Sequence, residues 1–291
     1  MKFRSEITLR EAPFEISTEL PALLLGSCFS DNVGEKMKLG WSAPVFANPC
    51  GVIYNPLSIA RLLNLALSDE KAVRQELADS LTQREGKWVS WLMDSKTKGD
   101  SREEAFESAL EKINLLADAI RTSEVLIVTF GTPWVYLRAE TGSPVGNCHK
   151  HPQVEFTRRR LSFQEIVSVW SELLERLRAV NPALKVVFTV SPMRYLGEGF
   201  AGNSCLKAIL LLACEELCSA MPDACYFPAF EIVNDDLRDY RFYSSDLIHP
   251  SPQAVDYIWE KFSEFFLSSD SLKIFETNKK ERLRLRHRPI M

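Results

Sequence analysis

Two six-residue runs constrain this chain most. Val125 to Phe130 reads VLIVTF and is closed by Gly131; Lys185 to Val190 reads KVVFTV and is stopped by Ser191-Pro192. Neither alternates apolar with polar residues, so neither offers a face to water. Strands buried on both faces belong to parallel sheets covered by helices on either side. The rest of the chain supplies those helices. Pro56 to Leu67, Lys71 to Leu81, Arg102 to Arg121, Phe163 to Ala179 and Ala254 to Leu267 read as helical, and Asn203 reads as the N-cap of a helix running to about Ala220. Shorter apolar runs at Ala22 to Gly26, Ser42 to Phe46 and Ala224 to Phe227 complete a set of five strands, with Lys87 to Leu92 as a strand or hairpin arm. The expected fold is α/β, a three-layer α/β/α sandwich around a mostly parallel five-stranded sheet of flavodoxin-like order. In such sheets ligands sit beyond the carboxyl ends of the strands, so chemistry is sought where strands stop.

Composition narrows the class. The chain has 291 residues, 46% hydrophobic and 25% charged, with a formal net charge of −4. That is enough apolar material for one sizeable core, taken as residues 1–276. It gives no strong field toward nucleic acid or anionic lipid, so neither is an expected partner. Residues 277–291 form a basic C-terminal tail with six Lys and Arg against Glu281; a solvated arm, or one docked on the acidic body, is expected. The first residues mix charged and apolar side chains, so no leader is expected there, and no apolar stretch is long enough to span a bilayer. The seven cysteines are irregularly spaced. Most of them read as buried free thiols in a reducing compartment, so a cytoplasmic location is expected. The sequence says nothing of oligomeric state.

Two strand-end motifs carry chemistry. In Gly26-Ser27-Cys28-Phe29-Ser30-Asp31 a strand turns into a helix. A nucleophile there would meet free backbone N–H groups, which can also hold a developing oxyanion. A thiol at such a position beside a histidine would have a depressed pKa. In Asp246-Leu247-Ile248-His249-Pro250 the carboxylate can fix one ring nitrogen and leave the other free as a general base. Each motif also has a plain reading, as a tight turn and as an ordinary Asp cap.

Together the two motifs resemble the SGNH (GDSL-type) hydrolases, with a Gly-Asp-Ser-Leu block after strand one and Asp-x-x-His before the last helix. More narrowly the chain resembles the GSCFA-domain family, with Ser30 where that peptide has Ala. The stretches Asn48 to Pro56 (NPCGVIYNP), Thr129 to Tyr136 (TFGTPWVY), Asn147 to Lys150 (NCHK) and Ser191 to Arg194 (SPMR) carry it further. The resemblance implies a cofactor-free esterase working through a covalent acyl-enzyme on a small acyl ester. Fold analogy suggests O-acetylated carbohydrate. An O-acyltransferase and a catalytically silent binding module are the alternatives. Catalytic roles would fall to Asp246, His249 and either Cys28 or Ser27, depending on the register of the first block. For the oxyanion the resemblance implies the Gly51 N–H. Pro133 stands where a donor Asn is expected, so Thr132, Asn48 or Asn147 would have to substitute.

Two further motifs are weaker. Cys148-His149-Lys150-His151 has neither zinc-type spacing nor an i, i+4 helical pair, so no metal is expected; His149 and Lys150 are instead candidates for a substrate-binding lip. Gly197-Glu198-Gly199-Phe200-Ala201-Gly202 fits G-x-G-x-x-G, but Gly197 follows its strand too late for a dinucleotide site.

Overall fold

The buried runs pair as their composition requires. The computed structural model describes residues 5–9 and 12–286. In chain order it contains β1 (Ala22–Gly26), α1 (Cys28–Gly40), β2 (Val45–Ala47), α2 (Pro56–Ala66), α3 (Glu70–Ser80), β3 (Leu81–Arg84), β4 (Lys87–Ser90), β5 (Lys98–Gly99), α4 (Arg102–Thr122) and β6 (Val125–Phe130). There follow β7 (Trp134–Arg138), β8 (Pro144–Val145), β9 (Phe156–Arg160), α5 (Phe163–Val180), β10 (Lys185–Val190), α6 (Gly199–Ala220), β11 (Ala224–Tyr226), α7 (Ala229–Glu231), α8 (Pro252–Phe266) and α9 (Ser269–Arg286). The central sheet has the order β11-β10-β6-β1-β2, with every pair parallel. Taking these five strands alone in chain order, that is 2-1-3-4-5, the flavodoxin-like order.

The two faces of the sheet feed two cores. Leu23, Leu25, Leu126, Val128, Phe130, Val186 and Phe188 pack among α2, α4, α5 and α6. The alternate residues Leu24, Val125, Ile127 and Val187 pack with Phe29, Val33 and Met37 of α1 and Ile258, Trp259 and Phe262 of α8. One strand therefore serves both layers because successive side chains point to opposite faces.

Two small antiparallel sheets, β3-β4-β5 and β8-β7-β9, are inserted between sheet strands. Only the arm at Lys87 to Leu92 was legible. Phe156–Arg160 is mostly polar and carries no apolar alternation, so cross-strand pairing with Trp134–Arg138 makes it a strand. The second sheet strand lies at Val45–Ala47, later than the expected Ser42 to Phe46. Asn203 does not cap α6, which begins at Gly199. It is buried inside the helix, where its Oδ1 accepts the Tyr195 N–H. No structural break falls at residue 277. Helix α9 runs on to Arg286, and Asn278 and Arg282 donate to the Gly40 and Trp41 carbonyls at the end of α1. The last part of the expected tail, 287–291, lies outside the described residues.

Candidate active site

The chain leaves β1 at Gly26 with φ near +130°, where a Cβ would lie 2.1 Å from the Thr129 carbonyl oxygen. Only glycine fits so close to β6 in that conformation. Ser27 then caps α1. Its Oγ accepts the Phe29 N–H at 3.3 Å, and the residue is 0% exposed. Cys28, the first helical residue, is half-buried. Its own N–H donates to no other residue among the described residues and interacts only with the Cys28 sulfur.

The Cys28 thiol departs from the sequence expectation. Burial pushes its pKa up, the nearby Asp31 carboxylate adds to this, and the Cys28 and Phe29 N–H groups only partly oppose it. The helix N-terminus is thus outweighed by desolvation and a neighbouring negative charge. Tyr54 is pushed up as well, by burial and then by Cys28, Asp31 and Asp94. These four groups, from buried Asp94 to exposed Tyr54, form one acidic neighbourhood near the end of β1. Sequence reasoning passed over Tyr54 and Asp94.

Asn48 is a latch, with both ends of its amide engaged inside the protein. Its Oδ1 accepts the Gly26 N–H at 2.8 Å and its Nδ2 donates to Asp31 at 2.7 Å. Gly51 likewise departs from its expected role, since its N–H donates to the Asn48 carbonyl at 2.8 Å. Its φ of +86° and the Asp94 carboxylate, 2.1 Å from a notional Cβ, explain the glycine instead. Thr132 and Asn147 are half-buried. Thr132 Oγ1 accepts the Trp134 N–H and Asn147 Oδ1 accepts the His149 N–H. The Thr132 hydroxyl hydrogen and the Asn147 Nδ2 keep free donors among the described residues.

His149 is a structural residue, which corrects the substrate-lip reading. It is buried, Nε2 meets the Ser90 carbonyl at 2.8 Å, and Nδ1 meets Ser95 Oγ at 2.9 Å. A carbonyl can only accept, so Nε2 carries the proton and Nδ1 accepts from the hydroxyl. Burial lowers the His149 pKa and favours this neutral form. Lys150 is exposed beside it. Nearby His151 pairs with Glu155 at 3.0 Å. Among the described residues, no group of three or more His, Cys, Asp or Glu is arranged to hold a metal.

On the far side, the loop before α8 brings Asp246 and His249 together. Asp246 Oδ2 lies 2.6 Å from His249 Nδ1, while Oδ1 accepts the N–H groups of Ile248 and His249 at 2.9 and 3.0 Å. The His249 N–H, its imidazole and the Ile248 N–H hold the Asp246 pKa down to about 2. The imidazole is 47% exposed on its side chain. Its Nε2 has no partner among the described residues. The loop is tied to the end of β10 by the Arg194 N–H donating to the Ile248 carbonyl at 3.2 Å. His249 is not hydrogen-bonded to Cys28 or Ser27 among the described residues. Catalytic contacts are often open without substrate.

Lys207 lies beneath these loops. It is 1% exposed, and its Nζ donates to the carbonyls of Gly131 at 2.9 Å and Ser191 at 2.8 Å, the first residues beyond β6 and β10. Burial, with help from the Arg194 charge, pushes its pKa down to about 7. The signal was present in the sequence as a lone lysine in the apolar run of α6.

The parallel five-stranded sheet between two helical layers places the chain in a class of three-layer α/β folds, with its candidate site residues at the strand ends. The GSCFA family matches residues 21–262, and the chain belongs to that family. No curated protein matches it. Among solved structures it is similar to an acetyl xylan esterase from the rumen bacterium Butyrivibrio proteoclasticus, at 14% identity and TM-score 0.43, covering 89% of this chain and 65% of that one. It is also similar to an acetyl esterase mutant with acetate ion, at 10% identity and TM-score 0.38, covering 90% of this chain and 99% of that one. A carbohydrate esterase family 3 protein from Talaromyces cellulolyticus matches at 11% identity and TM-score 0.37, with 90% and 99% covered. Among the described residues no helix is long and apolar enough to cross a membrane.

Proposed function

We propose that this protein is an ester hydrolase that works through a covalent acyl-enzyme on Cys28. The observation that carries the reading is the Asp246–His249 pair, with Nδ1 held at 2.6 Å and Nε2 left open. Its loop is tied to the segment after β10, and a half-buried thiol stands at the helix N-terminus after β1, both beyond the carboxyl ends of parallel strands. Ser27 is not the nucleophile in this reading, because its hydroxyl is sealed inside the turn as a cap.

The Cys28 Sγ attacks the ester carbonyl carbon as His249 Nε2 takes the thiol proton, and the carbonyl π pair moves onto oxygen. The Cys28 N–H receives that oxyanion, with Thr132 and Asn147 as the side chains that have donors left. Collapse breaks the C–O bond, and the departing alkoxide leaves with the proton from His249. Water, deprotonated by His249, then cleaves the thioester and restores the thiol. Asp246 fixes the imidazole tautomer throughout and stabilises its cationic form. Because the thiol pKa is raised, removal of its proton accompanies attack. No cofactor takes part.

Within this class we propose an O-acetylated carbohydrate as substrate. The exposed rings of Tyr240 and Phe200 near the Asp246 loop support a flat ligand. We place the activity in a reducing, cytoplasmic compartment, in keeping with seven free thiols. The test is turnover of p-nitrophenyl acetate by wild type, Cys28→Ala, Ser27→Ala and His249→Ala, with mass spectrometry for an acetylated peptide. Acetylation on Cys28 and loss of turnover by roughly 10³-fold or more in Cys28→Ala and His249→Ala are expected. An active, folded Cys28→Ala protein refutes the assignment.

A further inference from the structure

An open cleft of about 560 Å³ adjoins the Asp246–His249 loop. Arg194 from the loop after β10, Phe200 at the start of α6, Arg238, Tyr240 and Tyr243 line it, and Asp246 forms part of its wall. Phe200 is 63% and Tyr240 73% exposed. Aromatic faces left this open at the rim of a polar cleft are a recurrent feature of ligand sites.

The charge state of the cleft is more specific. Arg194 is held only by neutral acceptors. Its Nε donates to the Tyr243 hydroxyl at 3.2 Å, and its Nη2 donates to Asn234 Oδ1. Asn234 is itself fixed, with Nδ2 donating to the Phe230 carbonyl at 2.7 Å, so its oxygen is turned toward the arginine. A guanidinium has five N–H donors. Those on Nη1 have no acceptor among the described residues. Neither Arg194 nor Arg238 has a carboxylate partner there. The two carboxylates of the cleft are committed elsewhere. Asp246 serves His249 and two backbone N–H groups, and Asp239 caps the Arg241 N–H at 2.9 Å. Lys207, also buried in this region, would in its charged form repel the Arg194 guanidinium, and this repulsion helps lower its pKa. A part-buried guanidinium, oriented by its neighbours and without a counter-ion, suits a planar anion.

We propose that this cleft binds the alcohol half of the ester, and that Arg194 recognises a carboxylate on it, as an acidic sugar would present. The assignment to the alcohol half rests on the esterase reading above: His249 returns its proton to the leaving alcohol, so the group seated against its loop is the one that departs. Phe200 and Tyr240 flank the ring that carries the anion.

The experiment compares 4-acetoxybenzoate with 4-acetoxybenzamide, two acetyl esters of similar shape that differ in charge on the leaving group. Wild type is expected to favour the benzoate by about tenfold or more in kcat/KM, tenfold being about 1.4 kcal/mol. Arg194→Gln is expected to bring the ratio near one, Arg194→Lys to keep part of it, and salt to reduce it. A ratio taken on one preparation is independent of the fraction folded. A wild-type ratio near one, or a ratio unchanged in Arg194→Gln, overturns the proposal while leaving the esterase reading standing. If neither ester is turned over, the esterase reading fails, and calorimetry with 4-hydroxybenzoate and 4-hydroxybenzamide decides the anion site by itself. Preferential binding of the acid, lost in Arg194→Gln, supports the site; equal binding refutes it.

Discussion

Replacing Lys207 with Met tests the electrostatics of the strand ends directly. In the folded chain the ammonium is sealed between the Gly131 and Ser191 carbonyls, with its pKa pushed down to about 7. In the unfolded chain it returns to about 10.4. Between those values the unfolded state binds the proton and the folded state does not, so wild-type stability rises with pH across that window. Below about pH 7 both states are protonated and the penalty is constant. The two pKa values give a gain of roughly 2 kcal/mol between pH 7 and pH 9. Met cannot titrate and leaves both carbonyls without their donor, so the absolute stability of the variant also shifts. The informative quantity is therefore the difference between wild type and Lys207→Met, in which the other titrating groups cancel. Urea unfolding at pH 6, 7, 8 and 9 measures it. The advantage of wild type over the variant should grow by roughly 2 kcal/mol from pH 7 to 9 and by less than about 0.5 kcal/mol from 6 to 7. Parallel stability curves would show that Lys207 is not desolvated in this way.

Ser27→Ala should cost about 1 kcal/mol of stability through loss of the cap on α1, read from urea midpoints, and should leave an alkylable Cys28; no loss of stability would show the cap to be idle. Iodoacetamide should label exposed Cys205 before Cys28, because the Cys28 thiol is half-buried with a raised pKa; peptide mapping after brief labelling checks this, and Cys28 labelling first would refute it. His149→Ala should destabilise the fold by about 2–4 kcal/mol, since it empties a buried site and strips the Ser90 carbonyl of its donor; a change below about 0.5 kcal/mol, the range of neutral surface substitutions, would restore the substrate-lip reading.

The sheet was legible because its strands are apolar throughout, and a run such as VLIVTF has few other places to fold. The Asp246–His249 pair was legible because three residues on one turn determine its geometry locally. What the sequence hid depends on distant partners. His149 sits in a run of polar residues that reads as surface, yet Ser90 and Ser95 from the β4 end and the loop after it enclose its ring. Gly51 looked like an oxyanion donor until its N–H was found spent on Asn48, three residues back. The sign of the Cys28 shift could not be read from the helix start, because burial and Asp31 act against the N–H groups there. Arg194 could be quoted as part of a motif, but its lack of a counter-ion is a property of the folded surroundings.

The raised pKa of the Cys28 thiol also bears on how such a protein would age. Oxidation to sulfenic acid and beyond tracks thiolate character. A thiol that stays protonated at neutral pH is a poor target for peroxide, however essential it is to turnover. On the proposed mechanism the sulfur becomes strongly nucleophilic only while an ester is seated and His249 is drawing the proton away. The resting molecule would then keep its nucleophilic sulfur dormant, and oxidative damage should fall first on exposed Cys205.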